Sequence, residues 1–103
     1  MTPEEAQVQL DQLRGEIDQV DLRILELFNE RAAIVDVIGA VKREMSIPIY
    51  EPKREDDVFR NVLGGNRGPL SAPAVRRLFE RIIDEMRTLQ REKMLRPNEE
   101  RRP

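Results

Sequence analysis

Leu10 to Met45 reads LDQLRGEIDQVDLRILELFNERAAIVDVIGAVKREM. Within it Leu10, Leu13, Ile17, Val20, Ile24, Leu27 with Phe28, Ile34 with Val35, Ile38, Val41 and Met45 recur every three or four positions. That spacing sets side chains along one face of an α-helix. Gly15 and Gly39 interrupt the propensity, each by about 1 kcal/mol relative to alanine. Neither is followed by a proline or a polar loop, so the stretch predicts one unbroken helix. Its start is Thr2-Pro3-Glu4-Glu5, with Thr2 as N-cap, Pro3 in the first turn and Glu5 placed for a capping box. It runs to about Glu44, where Ser46-Ile47-Pro48 stops it.

A helix of about 40 residues is roughly 60 Å long, whereas a compact chain of ~100 residues has a radius of gyration near 13 Å. The rest of the chain is too short to wrap such a rod. Either the rod pairs with a second copy, or it breaks near Gly15 and folds into a monomeric bundle; the unbroken pattern favours pairing. Downstream, Pro52 opens a second helix to about Leu63, with Val58, Phe59, Val62 and Leu63 inward and Gly64-Gly65 as the C-cap. Asn66 to Leu70 reads as a loop. Ser71 then caps a third helix with Pro73 in its first turn, and Val75, Leu78, Phe79, Ile82, Ile83, Met86, Leu89 and Met94 form its stripe. The expectation is all-α: three helices per chain, the first very long, in an intertwined homodimer. Residues 1–95 form the domain, and 96–103 a charged tail expected to be disordered.

Composition narrows the chemistry. In 103 residues, 39% are hydrophobic and 37% charged, a balance suited to long amphipathic helices with one wet face. There is no cysteine and no histidine, so thiolate nucleophiles, zinc-thiolate sites and the commonest general base are excluded. The serines, Ser46 and Ser71, both fall in loops, and no triad can be assembled from them. Catalysis must rest on carboxylates, amides, lysine and arginine, with no metal and no cofactor expected. A net charge of -2 with one Tyr, three Phe and no Trp supplies neither the basic field nor the stacking surface of a nucleic-acid binder. The first residues lack the basic and apolar regions of a leader, and no apolar run is long enough for a bilayer. The expectation is a cytoplasmic protein bound to neither nucleic acid nor membrane.

The informative residues are polar ones on apolar stripes. Arg31 and Lys42, about three turns apart, point within roughly 20° of each other. Two cations on an inward face are costly unless anions meet them or they snorkel to solvent. Arg14 lies about 25 Å before Arg31 and is rotated by roughly 100° from it. One small ligand cannot span that distance along a single rod, so Arg14 can share the site only from a partner's helix in an antiparallel crossing. By itself it reads as a surface arginine. Glu55, beside Arg54, lies three residues before Val58 and should look inward, although a solvated charge run near a helix N-terminus also fits. Gln90 lies four residues after Met86, on the stripe, where a core hydrogen bond is the ordinary explanation. Together, three cations, a carboxylate and an amide suit an anionic, oxygen-rich small molecule.

From Leu10 to Lys93 these residues resemble the all-helical chorismate mutase family. The matching pieces are Leu13-Arg14-Gly15-Glu16-Ile17-Asp18, Asp21 through Leu25, Glu30-Arg31, Gly39-Ala40-Val41-Lys42, Pro48 through Glu55, and Leu78-Phe79 through Ile82-Ile83 to Gln90. Each piece alone is weak, but their order and spacing are specific. The resemblance implies three helices per chain in an intertwined dimer, with two active sites each built from both chains. It implies Arg31, and Arg14 of the other subunit, as carboxylate clamps. Lys42 is implied to contact a carboxylate and the ether oxygen, and Gln90 to donate to that oxygen. Arg54 supports the anion-binding cluster, and Glu55 accepts from the substrate hydroxyl near the backbone of Glu51.

The implied reaction is the Claisen rearrangement of chorismate to prephenate, on the route to phenylalanine and tyrosine, which needs no nucleophile, base or metal. Two positions depart from relatives. Met86 stands where some carry a small hydroxyl residue near the ring carboxylate, and its thioether cannot donate. Glu51 stands where some carry Asp. The competing readings are an isochorismate pyruvate lyase of the same fold and a non-catalytic helical dimerisation or regulatory module; Glu55 beside Arg54 favours the mutase. The short tails favour a free enzyme, and a complex with another shikimate-pathway enzyme stays open.

Overall fold

The computed structural model describes residues 1–95; the tail expected at 96–103, and the side chains of Met94 and Leu95, lie outside the described residues. There are three helices, α1 (Pro3–Met45), α2 (Pro52–Gly65) and α3 (Ala72–Leu95), and no strand among the described residues. Helix α1 passes through Gly15 and Gly39 without a break. Its first turn is capped as the sequence predicts, Glu5 N donating to Thr2 Oγ1 at 3.1 Å.

The far end of α1 closes in a Schellman turn. Ile47 N donates to Lys42 O at 2.8 Å and Ser46 N to Arg43 O at 3.4 Å, with Ser46 at φ 58°. A side-chain-bearing residue in this left-handed region costs about 1–2 kcal/mol. The two carbonyls satisfied by the turn offset that cost, and the turn redirects the chain so that Ile49 O comes to 3.0 Å from Lys42 Nζ.

Helix α2 differs from expectation at its end. The expected glycine cap at Gly64-Gly65 is absent: the helix runs through both glycines, and Asn66 caps it in an extended conformation, φ -74° and ψ 123°. The Asn66 side chain takes over the turn, Oδ1 accepting from Gly68 N at 3.0 Å and Nδ2 donating to Leu70 O at 2.8 Å. The left-handed residue of this loop is consequently Gly68, at φ 77°. Ser71 caps α3 as expected, accepting from Ala74 N at 3.2 Å.

The chain divides into two compact units, Met1–Ile34 and the residues from Val35 onward. In the first, the apolar stripe of α1 is exposed: Leu10, Leu13, Ile17, Val20, Ile24 and Phe28 all lie open. In the second, Val35, Val75 and Ile83 are buried and α2 packs against α3. The Arg76 guanidinium lies 4.5 Å from the centre of the Phe59 ring, fastening one helix to the other.

Candidate active site

A polar seam runs through the second unit where the end of α1 meets α3. The residues on α1 step by three, Asp36, Gly39 and Lys42, and those on α3 step back by three, Lys93, Gln90 and Arg87. Such steps keep neighbours on one helix face. At one end Lys93 Nζ pairs with Asp36 Oδ2 at 2.5 Å, leaving Asp36 Oδ1 buried without a hydrogen-bond partner. One turn along, Gly39 is buried, and a Cβ built on it would stand 3.7 Å from Gln90 Cγ and 3.8 Å from Gln90 Nε2. The Gln90 amide therefore lies directly over the bare backbone of Gly39.

Lys42 comes next, and it is 8% exposed. Its ammonium donates to Ile49 O at 3.0 Å and pairs with Glu51 Oε1 at 2.6 Å. A buried cation is tolerated only with such partners. An ammonium carries three donors, and among the described residues two of them are engaged here. Glu51 is the N-cap residue of α2 yet makes no side-chain capping bond, because its carboxylate serves Lys42 instead. One turn on, Glu55 Oε2 pairs with Arg87 Nη2 at 2.5 Å, the two side chains 25% and 21% exposed. The Arg87 guanidinium also lies 5.1 Å from the centre of the Tyr50 ring.

The first turn of α2 thus presents two carboxylates at i and i+4, each matched to a cation from another helix. Of the residues singled out in the sequence, Lys42 meets Glu51, Gln90 lies against Gly39 one turn before Lys42, and Glu55 pairs with Arg87 one turn before Gln90. Met86 is half-buried on α3, one residue before Arg87, while Arg54 is exposed on the first turn of α2. Arg14 and Arg31 belong to the first unit. There Arg14 is exposed beside Asp11 at 3.6 Å, and Arg31 is half-buried with a partner of its own. Arg87 is the residue that sequence reasoning missed. The available signal was its place three residues before Gln90, at the edge of the α3 stripe. Among the described residues no cluster of three acidic side chains could hold a metal ion, and no helix is long and apolar enough to cross a membrane.

Residues 13–91 match the family model described as chorismate mutase type II. The chain belongs to that family. The bifunctional chorismate mutase/prephenate dehydratase of Aquifex aeolicus is 34% identical over 87 residues, 81% of this chain and 24% of that protein. The corresponding protein of Pseudomonas aeruginosa is 39% identical over 82 residues, 75% of this chain and 22% of that one. A chorismate mutase of Methanocaldococcus jannaschii is 32% identical over 53 residues, 52% of this chain and 54% of that protein. The chain therefore spans about a fifth to a quarter of the bifunctional relatives it matches. Among solved structures, a chorismate mutase of Thermus thermophilus (form II) superposes with a TM-score of 0.79 at 34% identity, over 81% of this chain and 94% of that chain. The all-α, three-helix architecture is that of chorismate mutases.

Proposed function

We propose that this chain is a chorismate mutase that converts chorismate to prephenate. The observation that carries the reading is the buried Lys42 ammonium, one turn from the glycine on which the Gln90 amide lies. Both groups donate hydrogen bonds and neither needs to lose a proton to act. In the rearrangement the ether C–O bond breaks as a C–C bond forms, and negative charge gathers on the ether oxygen. Preorganised donors facing that oxygen stabilise the transition state more than the ground state. With the substrate held in its chair-like conformer, orientation and these donors together supply the ~8 kcal/mol of a modest enzymatic acceleration.

Charge balance supports a site completed by further cations. Lys42 and Arg87 are already matched by Glu51 and Glu55, so a dianion needs more positive charge than this cluster supplies. The family resemblance assigns that charge to Arg31, Arg54 and the Arg14 of a second copy, with Glu55 taking the substrate hydroxyl. The exposed stripe of α1 supports the second copy: Ile17 is 58% and Leu27 62% exposed, and a homodimer would cover such a face. Among the described residues only Val35, Val75 and Ile83 are buried apolar side chains, a small core for a folded chain to rest on alone. In this reading the protein is a cytoplasmic homodimer with shared sites, and the fused names of its relatives suggest a prephenate-consuming enzyme as a working neighbour.

The test is incubation of the purified protein with chorismate and, separately, with isochorismate. Prephenate from the first is the expected product. Pyruvate and salicylate from the second, without prephenate from the first, would establish the lyase instead; no turnover of either would leave a dimerisation module.

A further inference from the structure

We propose that Arg87, braced by Tyr50, is a positioning residue that holds the Glu55 carboxylate for the substrate hydroxyl. This rests on the chorismate mutase reading. A glutamate side chain loses rotamer freedom when fixed, so a carboxylate meant to meet one hydroxyl gains from being fixed beforehand. Arg87 does this across two helices, its Nη2 lying 2.5 Å from Glu55 Oε2. The guanidinium is itself held by the Tyr50 ring at 5.1 Å and by Asp84 Oδ1 at 3.7 Å.

With Oε2 engaged by Arg87, Oε1 keeps lone pairs free to accept the hydroxyl. With the guanidinium beside it, the carboxylate is charge-compensated, which lets an anionic acceptor stand in a site built for a dianion. Arg87 also lies one turn before Gln90 on the same helix face, so the hydroxyl acceptor is referenced to the helix that carries the ether-oxygen donor. A misplaced Glu55 then weakens recognition of the hydroxyl without removing the donors that drive the rearrangement.

The experiment compares kcat/KM for chorismate with that for an analogue whose ring hydroxyl is replaced by hydrogen. It does so in the unaltered protein, Arg87→Ala, Arg87→Lys and Glu55→Gln. The preference for chorismate is expected to fall roughly tenfold in Arg87→Ala, the worth of one hydrogen bond to a charged group. It should fall similarly in Glu55→Gln and recover in part in Arg87→Lys. A preference that stays constant in Arg87→Ala, even with both rates lowered together, overturns the positioning role and leaves Arg87 as a structural ion pair. Absence of prephenate from the unaltered protein overturns the functional reading, and this inference with it.

Discussion

Lys42→Ala is expected to lower kcat/KM for prephenate formation by roughly 10²–10³-fold, the scale set by removing one preorganised donor from a developing oxyanion. The residue is 8% exposed and sits at the meeting point of the end of α1, the Ile49 carbonyl and the Glu51 carboxylate. Removing it deletes the donor and also leaves Glu51 without its cation. Glu51 is 46% exposed, so water can take up its carboxylate, and the structural cost should stay near 1–3 kcal/mol. Steady-state kinetics paired with circular dichroism separate the two effects. The variant should keep its helical signal while losing turnover. A loss smaller than about tenfold would show that Lys42 is a tether for the 46–51 connection and not a catalytic donor.

Gln90→Glu is expected to make the rate depend on pH where the unaltered protein does not. The amide donates at any pH, so with Gln90 the rate should stay nearly level from pH 6 to 8. A carboxyl of the same shape donates only while protonated, and an ordinary glutamate titrates near ~4.3. Above that value the ionised group both loses its proton and repels the negative charge growing on the ether oxygen. The variant should therefore be about 10²-fold slower at pH 7.5 and should gain activity steadily as the pH falls toward 5. Gly39 makes the comparison clean, since even a Cβ built on it would stand 3.7 Å from the Gln90 side chain and glutamate fills the same volume. A pH–rate profile of kcat for both proteins is the measurement. A steep fall between pH 6 and 8 in the unaltered protein would contradict the assignment of Gln90.

How much of this was legible in the sequence depended on whether the controlling interactions were local. Helix α1 was readable because its apolar residues recur every three or four positions from Leu10 to Met45 and Thr2 supplies a local cap. Lys42 and Gln90 stood out because each puts a polar group where the stripe calls for an apolar one. The end of α2 was misread because Gly64-Gly65 has the composition of a helix terminus. The decisive bonds come instead from the Asn66 side chain to residues two and four positions on. The pairs Lys42–Glu51, Glu55–Arg87 and Asp36–Lys93 could not be read at all. Each joins different elements: Lys42–Glu51 and Asp36–Lys93 depend on how the chain turns after α1 at Ser46, and Glu55–Arg87 on how the 66–71 connection folds α3 back onto α2. Arg87 in particular is one of several arginines along α3; its place three residues before Gln90 sets it at the edge of the stripe, but only the ion pair across to α2 shows what it does there.

Active sites built from two chains are the central claim, and one mixing experiment addresses it directly. Arg14→Ala and Lys42→Ala homodimers are each expected to be nearly inactive. When they are unfolded together and refolded at equal amounts, half of the dimers should be mixed. Each mixed dimer should carry one site with both defects and one with neither, so about one quarter of the unaltered activity should return. A mixture that exchanges subunits yet stays as inactive as its parents would contradict the shared site, because it would place Arg14 and Lys42 of the same chain in the same pocket.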